Sequence, residues 1–316
     1  MKTLLVGYKA AELTPELLEG DVTVHELDIY HAHAVGKTHP GVNVVCAPHL
    51  PKDDWDEIRF HTGPKVMSGE LSLDLLQEIH LLRPRKFQLD FVGKERDRND
   101  LLDKVRNDPG RVRNFAAEWP ASVPGGPKLT FTSFPGCFCH RRLDEGGLAL
   151  AEVVSRELME RQALTSYHLP LTLLDMGCGC GLVGLLVNSV VKNLKLTLID
   201  SHTRAVEAAK LNAAKFGADA EVLLADDGLD SVSPAAGSRL QTANAYDVFV
   251  GNPPYYSDYR IAEVFLDTAR KALKPGGICY TVVKNDAGLK PVQERYFPSV
   301  AVIRRRGYCV LKSVKG

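Results

Sequence analysis

The apolar run from Leu171 to Met176 breaks directly into Gly177-Cys178-Gly179-Cys180-Gly181. A strand that ends in alternating glycines can turn sharply, and it leaves no Cβ between its backbone and whatever lies in front of it. The usual home of such a turn is the carboxyl end of the first strand of a doubly wound α/β sheet, where ligands sit. The rest of the second half agrees. Further strands are predicted at Lys195 to Asp200, Ala220 to Ala225, Tyr246 to Gly251 and Ile278 to Val283, with a closing pair near Val300 to Ile303 and Tyr308 to Leu311. Helical stretches separate the first five, which argues for a mostly parallel seven-stranded sheet with crossover helices. After Asp200, Val206, Ala209, Ala213 and Phe216 form a helix's inner face, Ser201 can cap it and Gly217 ends it.

The loop alone leaves its ligand open. Gly179 to Gly184 also reads Gly-x-Gly-x-x-Gly, with Asp200 about 20 residues on, which suits a nicotinamide dinucleotide as well as another adenosine-bearing cofactor. In either case Asp200, ending its strand, can accept hydrogen bonds from two ribose hydroxyls; the plainer reading is a helix cap. Asp227, with Asp226 nearly as well placed, ends the next strand and can accept from an adenine amino group.

Asn252-Pro253-Pro254-Tyr255 follows the fourth of these runs. Two prolines stiffen the corner because their φ angles are fixed. The Asn252 side-chain oxygen and the Pro253 carbonyl can both accept from one amino group, while Tyr255 offers a flat face. The guest this suits is a planar ring bearing an exocyclic NH2. The plainer reading is an ordinary turn.

Together, the Asp175-x-Gly177-x-Gly179-x-Gly181 loop, acidic Asp200 and Asn252-Pro253-Pro254-Tyr255 resemble class I S-adenosylmethionine-dependent methyltransferases that act on amino groups. Phe134-Pro135-Gly136-Cys137-Phe138 and Leu143-Asp144-Glu145-Gly146-Gly147, ahead of the loop, narrow the resemblance to the bacterial ribosomal RNA guanine-N2 methyltransferases. It extends from about Phe131 to the C-terminus. The resemblance implies a Rossmann-like catalytic domain with S-adenosylmethionine as cofactor, held by Phe138, Asp175, Gly177, Gly179, Gly181, Asp200, Asp227 and Asn252. It implies catalysis by Asn252, Pro253 and Tyr255, and RNA as partner. The family also carries an N-terminal domain that looks like a methyltransferase without its cofactor site. This chain departs from the family in having Cys139 where Ser is expected, in the Lys284 to Leu289 loop, and in a short N-terminal part.

That part reads as α/β, with runs at Thr3 to Val6, Val22 to Leu27, Val42 to Ala47 and Phe87 to Val92, and helices marked by Leu71, Leu75, Ile79 and Leu82 and by Leu101, Leu102 and Val105. Its strand ending in Ala47-Pro48-His49-Leu50 parallels the one ending in Asn252-Pro253-Pro254-Tyr255, so a degenerate copy of the second half is one reading and an unrelated α/β domain the other. The Pro/Gly-dense stretch from Trp119 to Pro127 marks the boundary between domains 1–125 and 128–316.

With 316 residues, two domains fit. Lys+Arg of 39 against Asp+Glu of 39 means that any grip on nucleic acid must be local, with His140-Arg141-Arg142 and Arg304-Arg305-Arg306 as candidates. The opening apolar run is too short for a signal peptide, no run reaches membrane-spanning length, and seven cysteines make no disulfide framework, so a cytoplasmic monomer is expected. Cys-x-Cys is poor zinc spacing, and no metal is expected. Adenine-N6 or protein-glutamine methylation, a nicotinamide-dependent dehydrogenase and a non-catalytic RNA-binding protein are the competing functions.

Overall fold

A computed structural model describes residues 1–106, 114–164, 170–230, 243–254 and 259–316. The chain divides into two compact units: one of Met1–Ala117 with Phe134–His140 and His202–Arg204, the other of Glu118–Ser133, Arg141–Ser201 and Ala205–Gly316.

The first unit runs β1 (Lys2–Val6), two short 3-10 turns, β2 (Asp21–Glu26), α1 (Ile29–Thr38), β3 (Asn43–Cys46), β4 (Glu57–Thr62), α2 (Gly69–Leu82), β5 (Lys86–Phe91) and α3 (Glu95–Arg106). Its strands form a parallel sheet in the order β3-β2-β1-β4-β5. Leu4 and Val6 on one face of β1 join Ile58, Phe60, Leu75 and Ile79; Leu5 on the other joins Val22, Val24 and Val35.

The second unit contains β6 (Ala117–Ala121) from Glu118 onward, then β7 (Leu129–Ser133), α4 (Glu145–Ala163), β8 (Leu171–Met176), α5 (Leu182–Asn188) and β9 (Leu194–Asp200). It continues with α6 (Thr203–Phe216), which begins in the first unit's segment, then β10 (Ala220–Leu224), β11 (Tyr246–Gly251) and α7 (Arg260–Ala272). The chain closes with β12 (Leu273–Val283), α8 (Asp286–Glu294), β13 (Ala301–Arg305) and β14 (Tyr308–Val314). The Pro/Gly-dense stretch thus closes a two-stranded β6–β7 sheet. The main sheet has the order β10-β9-β8-β11-β12-β14-β13, parallel through β12, with β14 antiparallel to both its neighbours. This is the seven-stranded doubly wound architecture expected, beside a smaller α/β unit. Gly217, at φ 65°, ends α6. The strand foreseen from Ile278 begins earlier, at Leu273. It absorbs Pro275 through a shift of register against β11, a position where a sheet tolerates a proline.

Both sheets share the strand order 3-2-1-4-5, and their registers match. Val6 pairs with His25 and Phe60 as Met176 pairs with Ile199 and Gly251. Glu26 pairs with Cys46 as Asp200 pairs with Leu224. Gly7 therefore corresponds to Gly177, Glu26 to Asp200, and His61 to Asn252. This corrects the parallel drawn from sequence. Ala47 corresponds to Ala225 on the edge strand, each donating its N–H to the preceding strand's last carbonyl, and the counterpart of Asn252 is His61. The error came from overlooking β4, in which Glu57, Arg59 and His61 mask a buried strand. Glu57 is fully buried but paired with Arg59 and Lys86.

The first unit repeats the topology without the glycine turn. Tyr8 and Lys9 stand where Cys178 and Gly179 stand, and Tyr8 lies 5.1 Å from the His61 ring and bonds Asp90. Burial, then Asp28, pushes the Glu26 carboxyl up to about 8, so it is neutral near pH 7.

Candidate active site

Four adjacent strand ends of the second unit carry the residues singled out by sequence. One step beyond the paired residues Met176, Ile199 and Gly251 lie Gly177, Asp200 and Asn252, from β8, β9 and β11. Gly177, Gly179 and Gly181 have φ of 67°, 55° and 87°, a region that suits glycine. A Cβ on Gly179 would meet nothing within 4 Å, so the turn faces open space.

Asp200 is half-buried and its Oδ2 accepts from the Gly179 N–H at 2.9 Å, which fixes the carboxylate beside the turn. Asp175 is placed differently. It is buried, and its Oδ2 accepts from the Gly184 N–H at 2.9 Å, so it braces the turn from inside the sheet. Burial pushes the Asp175 carboxyl up to about 7, against the Gly184 N–H, which lowers it, and with a small push from Asp200. An acid whose folded pKa lies above its unfolded value of about 3.9 binds its proton first in the folded state. Its contribution therefore favours folding below about pH 4 and is lost as pH rises towards 7. Urea titrations across that range should show a decline absent from Asp175→Asn, by about 1.4 kcal/mol for each pH unit between the two values; parallel curves would refute the shift.

Asn252 is half-buried, and its Nδ2 donates to Asp144 Oδ2 at 2.8 Å. A carboxylate only accepts, so the amide's orientation is set and Oδ1 is turned away from Asp144. Asp144 also caps α4, its Oδ1 accepting from the Gly146 N–H at 3.0 Å. A Cβ on Gly147 would lie 2.6 Å from Asp144 Oδ2, which explains the glycine after the cap. Pro253 is buried and Pro254 half-buried; Tyr255 lies outside the described residues. Asp227 and Asp226 are both half-buried in the loop after β10. Phe138 is 68% exposed and falls in the segment grouped with the first unit.

Sequence reading missed three supports. Phe265 on α7 abuts both the Gly177 turn and Gly251, since a Cβ on either would come within 2.8 Å of its ring. Thr268, one turn on, abuts Gly228 in the β10 loop. Asn212, fully buried in α6, accepts from the Thr132 N–H at 2.9 Å and donates to the carbonyls of Thr132 (2.8 Å) and Cys180 (2.9 Å). A polar residue at a core position of an amphipathic helix was the available signal. Asn212→Leu leaves those backbone groups without partners, and chemical denaturation should show a loss of about 3 kcal/mol; a change near zero would remove Asn212 from the loop's support.

The arginine candidates are partly spoken for. Arg305 and Arg306 pair with Glu152, and Arg306 also with Glu145. Cys178 and Cys180 are buried, and burial pushes the Cys178 thiol well up. Among the described residues no group of three or more His, Cys, Asp or Glu is arranged to hold a metal, and no helix is long and apolar enough to cross a membrane.

Residues 128–312 match the model of the methyltransferase small domain. The chain belongs to that family. The Gly179 to Gly184 fingerprint, open from sequence to a nicotinamide cofactor, thus belongs to a methyltransferase fold. Among relatives, a Pseudomonas aeruginosa protein named ribosomal RNA small subunit methyltransferase C is 35% identical over 173 residues, covering 54% of this chain and 46% of its own. One of the same name from Pseudomonas syringae pv. tomato is 31% identical over 215 residues, covering 66% and 55%. The chain spans about half the length of these curated relatives. A solved structure of the Thermus thermophilus 16S rRNA N2 G1207 methyltransferase with AdoMet and guanosine covers all of this chain and 88% of its own, with TM-score 0.76 and 16% identity. It shares the fold, including an N-terminal α/β unit.

Proposed function

We propose that this methyltransferase uses S-adenosylmethionine to methylate the exocyclic N2 amine of a guanine in small-subunit ribosomal RNA, in the cytoplasm. The observation that carries the reading is the Asn252 amide, pinned by Asp144 one strand away from an open glycine turn with a carboxylate at its edge. The names of the relatives, and the guanosine in the related structure, support the choice of base.

The donor set fits the cofactor. Asp200 would accept from the ribose hydroxyls, Gly179 would leave room for the cofactor while Gly177 and Gly181 hold the turn at positive φ, and Asp227 would accept from the adenine amine. Asp175 would serve by shaping the turn, and Phe138 is proposed as a contact on the resemblance alone. Bound there, S-adenosylmethionine supplies an electrophilic methyl group on a positively charged sulfur.

The chain's own residues prepare the amine. A ring-bound NH2 is a poor nucleophile because its lone pair is shared with the ring. Asn252 Oδ1 and the Pro253 carbonyl would accept its two N–H bonds, holding the nitrogen towards a pyramidal shape with the lone pair free. Such positioning can contribute about 7 to 11 kcal/mol. The nitrogen gains positive charge as its new bond forms, so no strong base is needed and a proton leaves to water. Tyr255 would stack on the base. Residues 128–316 would carry this chemistry and residues 1–125 would aid RNA recognition without catalysis.

The test is transfer of labelled methyl from S-adenosylmethionine to isolated small ribosomal subunits and to naked ribosomal RNA, followed by nucleoside analysis. N2-methylguanosine is the expected product. Label in N6-methyladenosine or in protein glutamine would overturn the substrate assignment and keep the chemistry.

A further inference from the structure

The first unit holds a cavity of about 540 Å³ lined by α2, β5 and α3, within the range of about 300 to 1,000 Å³ typical of small-ligand sites. Its walls are apolar, among them Leu76, Ile79, Leu102 and Pro84, with Phe87, 40% exposed, on the edge strand β5. Among the described residues its titratable lining is His80, Arg83 and Arg98, without a carboxylate.

Among the described arginine side chains of this unit, Arg59, Arg85, Arg96 and Arg204 are ion-paired, with Glu57, Asp56, Asp100 and the Asp74/Glu78 pair respectively. Arg83 and Arg98 are not, and both line the cavity. Arg98 is half-buried, so its charge is partly taken from water without a protein partner. Arg83 is exposed and ends α2 at φ 51°, ψ 53°, the left-handed conformation in which helices commonly stop.

An apolar slot with an aromatic edge and two spare guanidinium groups matches a flat, greasy ring joined to a phosphate. We infer that this cavity binds one splayed-out nucleotide of a single-stranded segment of the RNA substrate, with the base against Phe87 and the flanking phosphates on Arg83 and Arg98. A duplex keeps its bases stacked and could not enter a concave site of this kind. Both guanidinium groups would go unanswered by a purely apolar ligand. The assignment rests on the RNA substrate proposed above and gives the first unit a defined contact with it.

The full chain tests this with two variants, Phe87→Ala and the pair Arg83→Gln/Arg98→Gln, both at partly exposed positions, with melting curves confirming folding. Anisotropy of a labelled short single-stranded RNA should show Phe87→Ala weakened by about 10-fold or more, with Phe87→Trp restoring binding. The arginine pair should lower the slope of log affinity against log salt by about 1.4, as for two single-strand phosphate contacts. KM for ribosomal RNA should rise in step, with kcat at saturating RNA and cofactor affinity unchanged. Parental affinity, salt slope and KM in the variants would overturn the inference, as would uptake of a fatty acid or peptide probe by the cavity in preference to RNA. If the parent binds the RNA through these residues but transfers no methyl group to ribosomal RNA, the pocket stands and the proposed reaction falls.

Discussion

Asn252→Ala is expected to lower methyl transfer by about 100-fold or more at saturating substrates while leaving cofactor binding intact, as when a transition-state hydrogen bond is lost. The reason lies in what the amide does. Its Nδ2 donates to Asp144 at 2.8 Å, so Oδ1 is the end turned away from that carboxylate and the one that would accept a guest N–H. Removing the side chain deletes that acceptor, and Pro253 alone cannot hold both N–H bonds of the amine. Asp144 enters the same experiment. Asp144→Ser keeps an oxygen able to cap α4 but leaves the Asn252 amide free to turn its NH2 towards the substrate amine, where two donors would face each other. A loss of about 10-fold is expected, and the double variant should be no slower than Asn252→Ala alone, because the two residues act as one unit. Additive losses would separate them, and a fully active Asn252→Ala would remove this corner from the mechanism.

Asp200→Ala should weaken S-adenosylmethionine by about 100-fold or more, since two charge-assisted hydrogen bonds of roughly 1.5 to 3 kcal/mol each are lost. The same carboxylate tethers the Gly179 N–H, so its removal also loosens the turn that faces the cofactor. Asp200→Asn separates the two roles. Its carbonyl still accepts from Gly179 and from one hydroxyl, and a loss near 10-fold is expected. Calorimetric titration reads both, and unchanged affinity in the alanine variant would show that the ribose is held elsewhere.

Much of this site is legible in the sequence, and the reason is physical. β8, β9 and β11 are buried over most of their length, so they read as largely apolar runs whose ends can be located closely. Glycines at positive φ and prolines in a corner are also visible one residue at a time. What failed to show were residues whose meaning depends on distant partners. β4 carries Glu57, Arg59 and His61 and looks like surface until Lys86 arrives from β5 to neutralise Glu57. Asp175 looks like a ligand because it opens the glycine turn, yet only the fold reveals its inward bond to Gly184. Asp144 belongs to a visible motif, but nothing in its neighbours announces a partner 108 residues away. The registers that link Gly7 with Gly177 and His61 with Asn252 likewise exist only once strands are paired.

The packing of α7 limits how this site can be altered. Because Phe265 sits against both the Gly177 turn and Gly251, and Thr268 against Gly228, a single helix props three loops at once. A larger residue at 265 would press on the donor side and the acceptor side together, so widening the corner for a bulkier amine costs alignment of the methyl source. Engineering of acceptor preference is better begun at Asp144, which bonds Asn252 directly, than from beneath.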